Sequence, residues 1–238
     1  MPEYRLAHYL ALCGVASRKN ASQLITQKRV LINDELANHT HKVDTSALPQ
    51  LKVDGQFVPP MEAKQYWIYH KPVGIDCNLN PEKPSSLIHH LPQTGRIFPV
   101  GRLDKDSRGL LLLTNDGDFL QQLMHPQHHY PKTYLVEVDK PITEQFVATM
   151  ANGVRYKDVL TRPCEVSAVS DKHFQIRLTQ GMNRQIRRMA KALGFRVVDL
   201  CRCAIGDLSF SDVTEGQMRP LSHQEYIALL PTIQPITE

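Results

Sequence analysis

Residues 101–117 read GRLDKDSRGLLLLTNDG and place a charged loop, bounded by two glycines, directly before four consecutive leucines. A short apolar run between turn residues is typical of a strand buried on both faces, although its length alone leaves a helix open. An ionised carboxylate beside so dry a strand is unfavourable unless a cation or hydrogen bonds compensate it. Arg102 and Arg108 flank Asp104 and Asp106 and could supply that cation. The pattern alone fits either a structural ion pair that closes the loop or a catalytic carboxylate.

The composition is that of a globular protein, with 42% hydrophobic and 22% charged residues. No apolar run approaches the length that spans a bilayer, and no signal-peptide core follows the first residues. The five cysteines are odd in number and contain no Cys-x-x-Cys pair, which predicts reduced thiols in a cytoplasmic protein. His125, His128 and His129 lie in a proline-containing loop, where solvated histidines are commoner than a metal site. We expect no metal, and the absence of a nucleotide-binding glycine motif predicts no cofactor.

Basic residues concentrate in one part of the chain, although the net charge of +4 is modest. From Arg177 to Arg202 there are seven lysines and arginines and a single acid, Asp199. A helix predicted over this region carries an apolar stripe and, about 200° around it, a basic stripe. The apolar stripe consists of Ile186, Met189, Ala190 and Leu193, and the basic stripe of Arg184, Arg187, Arg188 and Lys191. A basic stripe is usually a solvated face, but this one lacks acids of its own, which favours contact with backbone phosphates.

Residues 1–60 predict a small unit of two helices followed by a strand. Helical spacing of apolar residues predicts a first helix up to Cys13, a left-handed stop at Gly14 and a second helix capped by Ser17. A short alternating strand begins at Val30.

Pro59-Pro60 breaks the chain and predicts a boundary between two domains, residues 1–60 and 61–238. In the second domain strands and helices mix without regular βαβ alternation, which predicts an α+β fold with a mixed, largely antiparallel central sheet. The predicted strands are Tyr66–Tyr69, Leu110–Thr114, Thr133–Val138, Phe174–Leu178, Val197–Cys201 and Ala204–Phe210. The predicted helices are Phe119–Met124, Thr143–Met150, Asn183–Leu193 and His223–Leu230.

Several of these segments resemble the pseudouridine synthases of bacterial ribosomal RNA. Residues 101–117 resemble the active-site loop of that family, and the further matching segments are KPVGI at 71–75, VDKPITEQF at 138–146, GMNRQIRRM at 181–189 and RPLSHQE at 219–225. Residues 5–34 resemble an S4 domain, a small αL-like RNA-binding domain, with Lys28 and Asp34 standing where glycines are usual. The resemblance covers residues 4 to about 230. The GMNRQIRRM motif is similar to the sub-branch that acts on 23S ribosomal RNA.

The resemblance also implies roles for individual residues. The aspartate after Arg-Leu is the family's nucleophile, which is Asp104 here. Tyr134, in a Lys-x-Tyr motif, is implied to stack on a flipped uracil and to help remove its C5 proton, although a half-buried strand tyrosine is the commoner case. Arg187 is implied to pair with Asp104, and Asn183 occupies a position where many relatives carry histidine. The residues expected to bind RNA are Arg18, Lys19, Lys28, Arg29, Arg102, Lys132, Arg184 and Arg188.

The resemblance therefore predicts a cytoplasmic, monomeric RNA pseudouridine synthase that needs no cofactor and does not bind membranes. Its expected substrate is a uridine of 23S ribosomal RNA near the peptidyl-transferase centre, with a tRNA stem-loop as a second candidate. Whether Asp104 attacks C6 of the base or C1′ of the ribose stays open. Two alternatives also stay open: a synthase that modifies 16S ribosomal RNA, and an RNA-binding ribosome assembly factor without catalysis.

Overall fold

The computed structural model describes residues 3–47, 49–92, 95–124 and 130–229. It divides into two compact units, Met1–Lys64 with Pro92–Arg96, and Gln65–Leu91 with Ile97–Glu238. The division falls four residues beyond Pro60 because the backbone N–H of Glu62 donates a hydrogen bond of 3.0 Å to Leu12 of the first unit. The three histidines considered for a metal, residues 125, 128 and 129, lie outside the described residues. In the described part of the chain, no helix is long and apolar enough to cross a membrane.

The first unit contains two short helices and small antiparallel sheets. Its elements are β1 Glu3–Arg5, α1 Leu6–Leu12, α2 Arg18–Thr26, β2 Val30–Ile32, β3 Glu35–Leu36, β4 Lys42–Asp44, β5 Leu51–Val53 and β6 Gln56–Phe57. The predicted signals of this unit are confirmed: Gly14 has a φ of +74°, and the Ser17 hydroxyl accepts a hydrogen bond from the Asn20 N–H at 3.1 Å. Strands β3-β2-β5-β6 form one sheet, and β1 pairs with β4.

The second unit is built on one large sheet. Its described strands are β7 Tyr66–Lys71, β8 Phe98–Val100, β9 Arg108–Thr114, β10 Lys132–Val138, β11 Arg155–Tyr156, β12 Val159–Leu160, β13 Glu165–Ser170, β14 His173–Leu178, β15 Val197–Ile205, β16 Leu208–Ser209 and β17 Met218–Pro220. Its helices are α3 Gly117–Met124, α4 Glu144–Asn152, α5 Gln185–Ala192 and α6 His223–Leu229, with a 3₁₀ turn at Leu87–His90.

The sheet runs in the order β13-β14-β10-β15-β9-β7-β17, with β8 added to β9 and β16 to β15. Of its described strand pairs, β9 with β15 is parallel and the others are antiparallel. This confirms the predicted α+β class with a mixed, largely antiparallel sheet. The topology places β9, β15 and β10 side by side in the centre of the sheet.

The leucine run forms the centre of β9. Leu110 to Leu113 are each at most 1% exposed. Leu110 and Leu112 pack into one hydrophobic core, whereas Leu111 and Leu113 pack into another with Tyr69. Alternation between two cores is the signature of a strand covered on both faces, so the strand interpretation is confirmed and the helix is excluded.

The short strands β8, β11, β12 and β17 were not predicted, and three further differences from the sequence prediction have a clear physical reason. The two strands predicted on either side of Arg202 are one continuous strand, β15, because the Arg202 side chain is accommodated inside the sheet, where its Nε donates a 2.8 Å hydrogen bond to the Leu110 carbonyl. Helix α5 begins two residues later than predicted because Arg184 adopts a left-handed conformation with φ of +52°. Strand β13 was not predicted because most of its side chains are exposed and show no apolar alternation.

Candidate active site

A cleft of about 980 Å³ opens in the second unit beside the loop that precedes β9. Its walls come from that loop, from β10, from β15 and from the turn that leads into α5. Five of the predicted site residues line it: Arg102, Asp104, Lys132, Tyr134 and Arg184.

Residues 101–107, here called the acidic loop, carry both carboxylates of interest and are anchored through their own backbone. The Asp104 carbonyl accepts a 3.1 Å hydrogen bond from the Ser107 N–H. The next carbonyl, of Lys105, accepts a 2.8 Å hydrogen bond from the N–H of Gly74. These bonds fix the two peptide units that follow the Asp104 side chain.

Two cations secure the following two carbonyls. Arg187 Nη2 donates a 2.6 Å hydrogen bond to the carbonyl of Asp106. Lys71, which is fully buried, donates from Nζ to the carbonyls of Ser107 and Pro72, both at 2.8 Å. Burial lowers the pKa of Lys71 below its ordinary range. Four successive carbonyls of the acidic loop are thus bonded, which gives Asp104 a preorganised position.

A glycine two residues after the acidic loop, in β9, is required by the close approach of two strands. Gly109 has a φ of +110°, and a Cβ there would lie 2.4 Å from the carbonyl oxygen of Arg202 on β15. A side chain would therefore push β9 and β15 apart and displace the acidic loop.

The two carboxylates of the loop have different surroundings. Asp106 accepts two hydrogen bonds from Arg184, at 2.8 and 2.7 Å, and Arg187 Nε lies 3.4 Å from its Oδ2. The bonds from Arg184 lower the pKa of Asp106. Asp104, with 30% of its side chain exposed, accepts no side-chain hydrogen bond from the described residues, and Arg184 Nη1 lies 3.9 Å from its Oδ2. Asp104 therefore has free lone pairs beside a cation.

The expected ion pair between Arg187 and Asp104 is wrong for this structure. The Arg187 side chain is only 13% exposed and turns to the carbonyls of Asp106 and Val197, the latter at 3.2 Å. The cation beside Asp104 is Arg184, which the sequence assigned to RNA binding. Arg187 instead holds the backbone of the acidic loop.

The arginines that flank the carboxylates in sequence do not compensate them either. Arg102 is exposed, and its Nη2 lies 3.8 Å from Asp76. Arg108 pairs with Asp199 at 2.7 Å. The compensating cations come from α5 and the residue before it, about 80 positions later in the chain.

The turn into α5 explains how Arg184 reaches the acidic loop. Gln185 is buried, its Oε1 accepts from the Met182 N–H at 3.1 Å, and its Nε2 donates to Gln180 at 3.3 Å. Arg184 then adopts its left-handed conformation as the residue before the helix. The predicted apolar stripe is confirmed, since Ile186, Met189 and Ala190 are buried and Leu193 packs against them. Exposed Arg188 donates to Asn183 at 2.8 Å.

The wall formed by β10 and β15 places Tyr134 near two cations, Lys132 and Arg202. Half-buried Tyr134 lies opposite Arg202 in the register of the two strands. Lys132, also half-buried, donates from Nζ to the Tyr130 carbonyl at 3.1 Å, and burial together with Arg202 lowers its pKa to about 8. Arg202 and Lys71 were not among the site residues predicted from the sequence. The signal for Arg202 was an arginine inside the otherwise apolar run from Leu200 to Ile205.

The remaining predicted RNA-binding residues lie in the first unit and are exposed: Arg18, Lys19, Lys28 and Arg29. Arg29 pairs with Asp54 at 2.6 Å, and Arg18 hydrogen-bonds His8. Lys28 has a φ of +58°, which is the conformation that a glycine would supply without strain. Within the described ranges, no cluster of three His, Cys, Asp or Glu side chains is arranged to hold a metal ion.

Comparisons with known proteins agree on one family. The family model of the RNA pseudouridylate synthases matches residues 65–192. The dual-specificity RNA pseudouridine synthase RluF of Escherichia coli (strain K12) is 37% identical over 232 residues, which cover 97% of this chain and 79% of that protein. The ribosomal large subunit pseudouridine synthase B of Bacillus subtilis (strain 168) is 33% identical, with 93% of each chain covered. The ribosomal small subunit pseudouridine synthase A of Haemophilus influenzae is 32% identical and covers 93% and 97%.

A solved structure supports the same assignment. The crystal structure of a pseudouridylate synthase shares 31% identity and a TM-score of 0.69, over 95% of this chain and 99% of that one. The family resemblance stated from the motifs is therefore confirmed, and so is the enzyme class. This chain belongs to the RNA pseudouridine synthases, in the branch that includes the large-subunit and small-subunit ribosomal enzymes.

Proposed function

We propose that this chain converts one uridine of 23S ribosomal RNA, near the peptidyl-transferase centre, to pseudouridine, with Asp104 as the nucleophile. The observation that carries the proposal is the state of Asp104. It lines a cleft large enough for a nucleotide, its loop is fixed through four backbone carbonyls, and its carboxylate accepts no side-chain hydrogen bond from the described residues.

The reaction requires the N1–C1′ bond to break, the base to rotate and a C5–C1′ bond to form. A carboxylate with free lone pairs can attack either C1′ or C6, and the Arg184 guanidinium lies 3.9 Å from it. Arg187 and Lys71 act on the backbone of the loop and keep Asp104 in place while the base turns.

Tyr134 is proposed as the platform for the base. A uridine inside a folded RNA must leave its stem before any group of the cleft can reach it. Tyr134 lines the cleft, is half-buried, and its hydroxyl has no hydrogen-bond partner among the described residues. An aromatic ring in this setting supports stacking on the extruded uracil and leaves the hydroxyl free to take part in removing the C5 proton.

The first unit is proposed to act as an S4-type RNA-binding domain. Its two helices and small sheet match the predicted order of elements, and its basic residues Arg18, Lys19, Lys28 and Arg29 are exposed. Exposed cations of this kind select RNA phosphates and supply affinity rather than chemistry. We place the enzyme in the cytoplasm, as a monomer that acts without a cofactor.

The target is proposed from the branch of the family. The GMNRQIRRM motif resembles synthases of 23S ribosomal RNA, and the Bacillus subtilis relative is a large-subunit enzyme by name. The Escherichia coli relative is named a dual-specificity RNA enzyme, which supports a second RNA substrate, and we propose a tRNA stem-loop for that role. A 16S target is the competing proposal, since the Haemophilus influenzae relative is a small-subunit enzyme.

Pseudouridine mapping of ribosomal RNA and tRNA from cells with and without the gene separates these targets. The proposal expects one site to be lost from 23S ribosomal RNA, with or without one tRNA site. Loss of a 16S site alone would move the substrate to the small subunit. An unchanged map would support a binding role without catalysis.

A further inference from the structure

Arg202 is a buried cation that the chemistry described so far does not use. Its side chain is 2% exposed and lines the cleft. Nε donates to the Leu110 carbonyl, but neither terminal nitrogen donates a hydrogen bond to a described residue, and Nη2 is fully buried without a partner. No described carboxylate lies within 4 Å of it, whereas the other arginines of the acidic loop region have such a partner. An unpaired buried guanidinium is unfavourable unless a ligand supplies the missing acceptors.

A second cation lies on the same face of the sheet. Arg202 is opposite Tyr134 in the strand register, and directly opposite residues have Cβ atoms about 5 Å apart. Lys132 is two residues from Tyr134 on β10, so its side chain points to the same face. Its Nζ has three donors and gives one to the Tyr130 carbonyl, with no described carboxylate beside it. The ring that would support a base therefore has two unneutralised donors near it on the same face of the sheet.

We propose that Arg202 and Lys132 bind the carbonyl oxygens of the flipped uracil and stabilise the negative charge that the base gains during the reaction. This inference rests on the proposed isomerisation of uridine. It adds two residues that contact the substrate to the set formed by Asp104 and Tyr134.

The charge arises by either route of attack. If an Asp104 oxygen bonds C1′, the N1–C1′ bond breaks with both electrons on the base, and the uracil anion shares its charge between N1, O2 and O4. If the oxygen bonds C6, the electron pair of the C5–C6 double bond moves toward C4 and makes O4 an enolate oxygen. In both cases a carbonyl oxygen becomes more negative as the barrier is crossed, which is where preorganised donors accelerate a reaction.

Burial favours the base over a phosphate as the ligand of Arg202. A phosphodiester is part of the RNA backbone and stays at the rim of the cleft, where exposed Arg102 and Arg188 are suited to it. An arginine that is 2% exposed is reached by a group that enters the cleft, and the extruded base is that group.

The test exchanges single atoms of the substrate. A 23S stem-loop, with its target uridine located by pseudouridine mapping, is prepared with uridine, 2-thiouridine or 4-thiouridine at that position. Single-turnover rates are measured for the wild-type protein and for Arg202→Met, Lys132→Met and Arg202→Lys, with Arg155→Met as a matched control at an exposed arginine. Sulfur accepts hydrogen bonds poorly, so the ratio of the uridine rate to the thiouridine rate reports the contact with that oxygen.

We expect Arg202→Met to lower the rate on uridine by about 100-fold or more, as removal of one oxyanion donor does. For at least one thiouridine, the oxygen-to-sulfur ratio of the wild type should shrink markedly in Arg202→Met or Lys132→Met and persist in Arg155→Met. Each ratio compares two substrates on one protein preparation, so partial misfolding of a variant does not change it, and Arg202→Lys supplies a gentler substitution.

Identical ratios in the wild type and in all variants would overturn the inference. So would variants that lose RNA affinity and salt dependence at an unchanged rate, because that result identifies a phosphate contact. Failure of the proposed function itself is a separate outcome, in which the wild-type protein forms no pseudouridine in any of these RNAs.

Discussion

The guanidinium of Arg184 donates two hydrogen bonds to the carboxylate of Asp106, at 2.8 and 2.7 Å, and also lies beside the carboxylate of Asp104. Its Nη1 lies 3.9 Å from Asp104, whose carboxylate has no side-chain hydrogen bond from the described residues. Asp106 thus holds the Arg184 guanidinium in place beside Asp104. Asp106 therefore has a structural role, whereas the carboxylate of Asp104, two residues earlier, is available for chemistry.

The ion pair itself should be weak. Arg184 and Asp106 have 42% and 46% of their side chains exposed, so solvent screens the pair. A double-mutant cycle of Arg184→Ala and Asp106→Ala in urea unfolding should give a coupling free energy of about 0.5–1 kcal/mol. Because the folded pKa of Asp106 lies below its ordinary 3.8, this contribution is complete above that pH and is lost as the pH falls through the folded pKa. A coupling unchanged well below pH 3.8 would contradict the assignment.

Substitution of Arg187 should slow the reaction more than it weakens RNA binding. Arg187→Met removes the donors to the Asp106 and Val197 carbonyls, and loss of a buried partner costs about 1–3 kcal/mol of folding free energy. The acidic loop then loses one of its four anchors, so kcat should fall at least tenfold with KM nearly unchanged. Arg187→Lys should restore part of the rate. A variant that loses affinity at full kcat would show that Arg187 is a phosphate contact.

The central strands of the large sheet, the leucine run and the apolar stripe of α5 could be predicted from the sequence because each depends on local periodicity. The partners of the charged residues could not. Arg187 donates to the backbone carbonyl of Asp106 and does not pair with Asp104. The acidic loop and α5 are far apart in the sequence and contact each other only in the folded chain, so this partner could not be predicted. The sequence prediction ended a strand before Arg202 because a buried charge is unfavourable in a sheet unless other groups bind it. Those groups are distant in the sequence and could not be identified from it. The motifs identified most residues of the candidate cleft, and the structure showed the hydrogen bonds and ion pairs between them.

Lys132 should give the reaction an alkaline limit. Its pKa is lowered to about 8, by burial first and then by Arg202, the charged group that faces it from β15. A protonated Lys132 stabilises the uracil anion, so kcat should fall as the pH rises through about 8. Lys132→Arg keeps its charge at higher pH and should move this fall in kcat to higher pH. Lys132→Met should be slow at all pH values and should show no fall in kcat near pH 8. A fall near pH 8 in Lys132→Met as well would assign the ionisation to another group.

The basic residues of the first unit should contribute unequally to RNA binding. Each phosphate contact changes the slope of log K against log salt concentration by about 0.9. Lys19→Ala and Lys28→Ala should each reduce the slope by roughly that amount. Arg29→Ala should reduce it less, because Asp54 at 2.6 Å already neutralises Arg29. Equal slopes for the wild type and the Lys19 and Lys28 variants would show that these lysines do not touch RNA.

The role of Asp104 as the nucleophile can be tested by complementation in living cells. Cells that lack the gene are supplied with the wild-type chain or with Asp104→Asn, and pseudouridine is mapped in their ribosomal RNA. The wild type should restore the missing 23S site, whereas Asp104→Asn, nearly identical in shape, should bind the RNA and restore nothing, since loss of a covalent catalyst costs many orders of magnitude in rate. Restoration of the site by Asp104→Asn would contradict the assignment of Asp104 as the nucleophile.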